Sequence, residues 1–112
     1  MTEFLDFLKH KYAYVAIGEF QPGKFDEAKQ LYEKVVATYG QGFGGSYLLQ
    51  EPGTDKSIAI IFWSSVEEMG TNKNDVHEAI VKEISHLLVE PATTSIYEVC
   101  STFDPPASQS EA

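Results

Sequence analysis

Short runs of apolar, β-branched and aromatic residues alternate along the chain with segments of helical periodicity. The runs predict strands at residues 12–20, 46–50, 57–63 and 94–103. The first two runs stop at Pro-Gly pairs, which favour turns. Apolar residues recur every three or four positions in residues 24–39 and 75–88, which predicts two helices. Ser65 and Glu68 have capping-box spacing, which predicts a short helical turn between the third strand and the second helix.

The order strand, helix, hairpin, helix, strand is typical of the split βαβ plan. It predicts an α+β domain of the ferredoxin-like kind, with a four-stranded antiparallel sheet and two helices on one face. We expect this domain to cover residues 12–103. A short N-terminal helix is predicted at residues 1–11 and a disordered tail at residues 104–112.

The predicted strands are apolar on both faces. In the third strand one face would carry Ile58, Ile60 and Phe62, and the other Ala59, Ile61 and Trp63. Two helices cover only one face of such a sheet, and a soluble monomer does not tolerate so large an apolar surface. We therefore predict a homodimer that packs sheet against sheet. The alternative is that the leading helix or the tail folds across the open face.

Charge and composition exclude several classes of partner. Seventeen acidic and eight basic residues give a net charge of −9, which would repel phosphate backbones and anionic lipid surfaces. No apolar run approaches the roughly 20 residues of a membrane span, and the first residues lack the basic start of a secretory signal. We therefore expect a cytoplasmic protein that binds neither nucleic acid nor membrane. A single cysteine and three histidines predict no disulfide and no metal cluster.

The element order, the length and the run Ile60-Ile61-Phe62-Trp63-Ser64-Ser65-Val66-Glu67-Glu68-Met69 together resemble the antibiotic biosynthesis monooxygenase-like family of dimeric α/β barrels. The resemblance implies two sheets that form a barrel across a dimer, with a small pocket between sheet and helices in each subunit. Family members include cofactor-free monooxygenases and heme-degrading enzymes. The heme-degrading branch carries an Asn near the position of Ala16, and another His commonly stands where this chain has Gly70-Thr71-Asn72. We therefore expect no cofactor.

His77 is the best candidate for a catalytic residue. The resemblance implies a His in the second helix, and helical geometry places His77 beside the apolar stripe, where it should be partly buried. A neutral imidazole there could act as a general base or hold a phenolic oxygen. The alternative is an ordinary hydrogen-bonded core histidine. By the same geometry His86 and Glu83 should face solvent.

Five aromatic residues are candidates for the walls of a ligand cavity. They are Trp63, Tyr14, Tyr39, Phe43 and Tyr47, whose rings would suit a flat aromatic ligand. The alternative is ordinary core packing. The glycine-rich segment 40–45 follows a helix and leads into a strand, which is the reverse of a phosphate-binding turn. It predicts a mobile flap or a strand bulge instead.

Two functions remain open from the sequence. The first is a small cofactor-independent monooxygenase-like enzyme acting on an aromatic or polyketide-like molecule, with His77 as base and the aromatic residues as walls. The second is a non-catalytic dimeric module that binds a small apolar ligand or a partner protein. An enclosed pocket reached by the imidazole of His77 would favour the first function, and a filled core would favour the second.

Overall fold

The computed structural model describes residues 11–103 and Pro105, so the predicted N-terminal helix and tail lie outside the described residues apart from Lys11 and Pro105. The described chain forms four strands and three helices. The strands are β1 (Tyr12–Glu19), β2 (Phe43–Gln50), β3 (Lys56–Trp63) and β4 (Thr93–Glu98). The helices are α1 (Phe25–Val36), α2 (Val66–Thr71) and α3 (Asp75–His86).

The strands form one antiparallel sheet in the order β2-β3-β1-β4. This order confirms the predicted ferredoxin-like α+β fold, in which the first and third strands occupy the centre. Strand β4 is shorter than expected and ends at Glu98. Strand β2 is longer than expected and begins at Phe43. Its pairing with β3 shifts in register between Phe43 and Ser46, at a bulge that contains Gly44 and Gly45. Of the two predictions for the glycine-rich segment, the strand bulge is therefore confirmed.

Side-chain caps fix where two of the helices begin. Ser65 Oγ accepts a hydrogen bond from the Glu68 amide at 3.1 Å, which starts α2 as the capping pattern predicts. Asn74 Oδ1 accepts from the His77 amide at 2.9 Å and starts α3. The N-terminus of α1 has no side-chain cap, but acidic residues in its first turn suit the positive end of the helix dipole.

The two faces of the sheet are packed differently. On the inner face, Ile61 and Trp63 of β3 are buried with Met69 of α2. The outer face carries the neighbouring pairs Val15 with Ile60 and Ile17 with Ile58. No described helix lies on this outer face, and Ile17 is 47% exposed there. The strands are therefore apolar on both sides, as the sequence predicts.

Helix α3 is rotated relative to the orientation that its apolar stripe predicts. His77, Val81 and Ile84 of α3 line the cavity against the inner face of the sheet, whereas Val76, an apolar residue of the repeat over residues 75–88, is 61% exposed. His77 is accordingly more deeply buried than expected, at 8% exposure. His86 and Glu83 are exposed, as predicted. The periodicity identified the helix correctly but not its rotation, which depends on the packing of α3 against α1 and over the sheet.

No helix within residues 11–103 is long and apolar enough to cross a bilayer.

Candidate functional site

A cavity of about 380 Å³ lies between the helices and the inner face of the sheet. Helix α1 contributes Ala28, Tyr32 and Val35, which follow the helical repeat, and Tyr39 lies just beyond its end. Alternate residues of β1 and β3 form the floor, and α3 closes the opposite side. Most of these side chains are apolar, so a bound molecule would exchange much of its contact with water for apolar contacts.

His77 stands at one end of this cavity. Because Asn74 caps α3, His77 is fixed in the first turn of the helix with its side chain towards the sheet. Its Nε2 lies 3.1 Å from Tyr39 Oη, within hydrogen-bond distance. The two rings lie 5.6 Å apart. The structure thus pairs a buried imidazole with a half-buried phenol at the cavity wall.

Tyr39 is held between His77 and two further rings. Its ring lies edge-on to Trp63 at 4.9 Å and tilted against Phe43 at 5.4 Å. Burial raises the pKa of Tyr39 to about 12, and the hydroxyls of Tyr14 and Tyr32 act in the same direction. Tyr39 therefore remains a neutral phenol at physiological pH and can serve as a hydrogen-bond donor.

The surroundings of the imidazole favour one tautomer of His77. The Glu78 carboxylate lies 3.7 Å from Nδ1, and no described residue makes a hydrogen bond to Nδ1. A negative charge on this side favours the proton on Nδ1 and leaves the lone pair on Nε2. Tyr39 then donates to Nε2, which is the nitrogen that a substrate hydroxyl would have to reach.

Tyr32 forms part of the side wall. Its hydroxyl donates to Ser46 Oγ at 2.5 Å and so joins α1 to the edge strand β2. Burial raises the pKa of Tyr32, while the hydrogen bond to Ser46 opposes that change. The hydroxyl of Tyr32 is therefore bonded to a serine, whereas the hydroxyl of Tyr39 is bonded to the candidate base, His77.

The cavity brings together four of the six predicted site residues: Tyr14, Tyr39, Trp63 and His77. Phe43 packs against Tyr39 and Trp63 from behind and does not line the cavity. Tyr47 lies on the outer face of the sheet, where it is 62% exposed and its ring is 6.1 Å from Phe62.

The bulge explains the position of Tyr47. In a regular strand, Phe43 and Tyr47 would point to the same side, since side chains alternate. The extra residue at Gly44–Gly45 reverses the alternation, so Phe43 faces inward beside Trp63 while Tyr47 faces outward beside Ile60. Tyr47 is therefore not a wall of the cavity.

Tyr32 and Ser57, which both carry hydroxyls, are among the cavity residues that were not identified from the sequence. Tyr32 was visible as a member of the apolar stripe of α1, at helical spacing from Ala28 and Val35. Ser57 lies on the same face of β3 as Ala59 and Ile61, because side chains alternate along a strand. This alternation could have predicted its inward position.

No group of three or more His, Cys, Asp or Glu residues converges as a metal site within the described part of the chain.

Comparison with solved structures identifies the fold. SnoaB, a cofactor-independent oxygenase from Streptomyces nogalater, superposes with a TM-score of 0.74 at 15% identity, over 86% of this chain and 99% of its own. An antibiotic biosynthesis monooxygenase gives 0.69 at 14% identity, over 80% and 99%. A conserved protein from Methanosarcina mazei gives 0.72 at 18% identity, over 82% and 96%.

This chain has the fold of the antibiotic biosynthesis monooxygenases. The prediction of that fold from the sequence is confirmed. No family model matches the sequence, and no curated protein matches it. At such low identities the likeness describes the architecture, and the activity has to be argued from the site.

Proposed function

We propose that this protein is a small cofactor-independent monooxygenase that oxidises a phenolic aromatic or polyketide-like molecule, with His77 as general base. The observation that carries the proposal is the hydrogen bond between Tyr39 Oη and His77 Nε2 at the wall of an apolar cavity. A base and a neutral donor placed together in a water-poor site suit proton abstraction from a hydroxyl or an activated C–H group.

The cavity has the size and chemistry for such a substrate. Its volume of about 380 Å³ lies within the range of about 300–1,000 Å³ found for small-molecule sites. Aromatic residues flank the His77 end, and aliphatic residues such as Leu48 and Leu88 line the remainder. Flat rings would bury their faces against these walls, and a substrate hydroxyl would be directed to the polar end.

The proton step follows from the tautomer that the site favours. A substrate hydroxyl would displace the Tyr39 hydroxyl from Nε2 and transfer its proton to the imidazole. The resulting imidazolium would have the Glu78 carboxylate beside it, 3.7 Å from Nδ1. The released Tyr39 hydroxyl can then donate to the substrate oxygen that has become negative.

The oxidation can balance without a further reductant. In the enol form of an anthrone, loss of the hydroxyl proton to His77 makes the ring carbon electron-rich, and that carbon transfers electrons to dioxygen and forms a bond to it. The methylene group becomes a carbonyl that keeps one oxygen atom, and the other oxygen leaves as water with the proton returned by His77 and the second hydrogen of the carbon. The protein then has to supply only the base, the donor and the water-poor cavity. The likeness in fold to SnoaB, a cofactor-independent oxygenase, supports this chemistry.

Oxygen uptake with a hydroxyanthrone tests the enzyme proposal. We expect the wild type to accelerate uptake above the spontaneous rate, and His77→Gln to lose about 10²-fold or more of that acceleration. His86→Gln is the matched control, because His86 lies on the exposed side of the same helix. Full activity of His77→Gln would contradict the role of His77 as base.

One observation favours the non-catalytic alternative. Nε2 already has a partner in Tyr39 when no ligand is present, so this nitrogen is satisfied as part of the wall. A binding module would take up the hydroxyanthrone without consuming oxygen. Binding of the hydroxyanthrone in calorimetry, together with oxygen uptake no faster than the spontaneous rate, would therefore support the binding module and contradict the enzyme proposal.

We also propose that two copies associate through the outer faces of their sheets. Ile17, Tyr47, Leu49 and Tyr97 are each between 46% and 62% exposed on that face, and half-buried residues such as Ile60 lie among them. Apolar patches of this kind on a soluble protein usually mark an interface. A second copy offers the same self-complementary surface.

Sedimentation at micromolar concentration tests the association. We expect a species of twice the 12.5 kDa chain mass. A single species at the chain mass would reject the dimer.

A further inference from the structure

Only two polar side chains are buried within the described part of the chain, Ser57 and His77. Both line the same cavity. Ser57 is 7% exposed, and none of the described residues makes a hydrogen bond to its hydroxyl. The Ser57 hydroxyl is not among the buried polar atoms that lack a partner, so it is reached from the cavity that it lines. It is therefore open to a hydrogen bond from a molecule in the cavity.

Ser57 and His77 stand at opposite ends of the cavity. Along β3, Ser57 and Trp63 are separated by about 20 Å of extended strand, and Trp63 packs on Tyr39 beside His77. The segment from His77 to Leu88, which lies two residues beyond the end of α3, gives an independent measure, since eleven residues at the helical rise span about 16 Å.

Leu88 marks the Ser57 end of the cavity. Its Cδ2 would lie 3.0 Å from a Cβ placed on Gly18, and Gly18 is the direct strand partner of Ser57. The helix and the strand thus run alongside each other from one polar end to the other. The two polar side chains are separated by a span of about 16–20 Å.

We propose that Ser57 is a second ligand-binding group, which forms a hydrogen bond to the distal polar end of an elongated substrate. This inference rests on the proposed function, because it assigns the phenolic end of the same substrate to His77. The substrate class is then a molecule with a phenolic hydroxyl at one end and a hydroxyl or carbonyl oxygen at the other. Between them lies an apolar body long enough to span the cavity.

The apolar residues between the two ends support this orientation. Ala59 and Ile61 of β3 and Val81 and Ile84 of α3 line the middle of the cavity and offer no hydrogen bond from their side chains, whereas Tyr14 and Thr94, which carry hydroxyls, line it from β1 and β4. A polar group halfway along the ligand that faces these aliphatic side chains would be desolvated without compensation. Ser57 thus selects ligands by the position of their second polar group and takes no part in proton transfer.

Calorimetry with two matched phenols tests this assignment. The probes are para-nonylphenol and its analogue with a hydroxyl on the terminal carbon of the chain. We expect the wild type to bind the hydroxylated analogue about three- to tenfold more tightly than Ser57→Ala binds it. The same substitution should leave the affinity for para-nonylphenol nearly unchanged. Ser101→Ala, at an exposed position outside the sheet, is the control and should bind both probes like the wild type.

The other outcomes each overturn the proposal. If Ser57→Ala weakens both probes equally, Ser57 has only a structural role. If it weakens neither, or if the wild type binds neither probe, the distal hydrogen bond or the length of the site is wrong. These results are distinct from failure of the proposed function, which is decided by oxygen uptake in the wild type and His77→Gln.

Discussion

Asn72 holds the backbone of Gly40 through its side-chain amide: Asn72 Oδ1 accepts a hydrogen bond from the Gly40 amide at 2.8 Å. On the other side of the amide, Nδ2 donates to the carbonyl of Gln41 at 3.0 Å and to that of Glu68 at 2.7 Å. Gly40 directly follows Tyr39, and Asn72 shortly precedes His77. Asn72 therefore fastens together the two segments that carry the Tyr39–His77 pair.

Replacement of Asn72 with Ala should loosen this connection. Because several hydrogen bonds to the backbone are lost at once, we expect the free energy of unfolding to fall by about 1–3 kcal/mol. In a domain of this size the melting temperature should drop by several degrees. Lys73→Ala, at the exposed neighbouring position, should melt close to the wild type. Equal melting of the two variants would show that the three contacts of Asn72 contribute nothing to stability.

Gly42 is required for two reasons: its backbone has a positive φ, and there is no room beside it for a side chain. It has a φ of +89°, and a Cβ at this position would overlap the side chain of Glu68. Gly45 has a φ of +108° but open space around it. Gly42→Ala should therefore destabilise the protein by at least about 1 kcal/mol more than Gly45→Ala, since only the first substitution adds overpacking to backbone strain. Equal losses in chemical denaturation would refute the close contact.

The raised pKa of Tyr39 predicts how stability changes at alkaline pH. The unfolded chain loses this phenolic proton near pH 10, whereas the folded protein keeps it up to about pH 12. Between these values the unfolded state binds fewer protons, so the free energy of unfolding should fall as pH rises from about 10 to 12. Tyr39→Phe should reduce this fall, as measured by urea unfolding at a series of pH values.

Tyr47→Phe is the matched control for that series. It removes an exposed hydroxyl from the other face of the sheet, and we expect it to retain the alkaline behaviour of the wild type. If Tyr39→Phe and Tyr47→Phe show the same pH dependence, the burial of the Tyr39 hydroxyl is not its cause.

Ile60 and Ile61 are neighbours that test the two faces of the sheet separately. Ile61 is buried with Trp63 and Met69, so Ile61→Asp should prevent folding, because an unpaired charge in the core costs several kcal/mol. Ile60 is only half-buried and lies on the outer face. Ile60→Asp should leave a folded chain, seen by circular dichroism, that sediments as a monomer. A stable dimer of Ile60→Asp would contradict the proposed interface.

The elements and their order could be predicted because they depend on local patterns. The apolar spacing identified α1 and α3, Ser65 marked the start of α2, and Pro-Gly pairs ended the first two strands. Boundaries were less accurate: β4 ends at Glu98, whereas its apolar and aromatic run continues to Phe103. The residues past Glu98 have the composition of a strand, but strand pairing with β1 stops at the Tyr12–Glu98 pair, near the start of β1.

The sequence by itself determined the fold class, through the order of its elements, and the apolar character of both sheet faces, through the alternation of residues within the strands. It made His77 the candidate base through the family resemblance together with the position of His77 beside the apolar stripe. Only the tertiary structure decided which side chains meet. The bulge at Gly44–Gly45 turned Tyr47 away from the cavity, and the rotation of α3 buried His77 and exposed Val76. Packing of α1 and α3 over the sheet brought Tyr39 Oη to His77 Nε2 and placed Ser57 in the same cavity. Such contacts join residues far apart in the chain, and their geometry depends on how whole elements pack, which local periodicity does not specify.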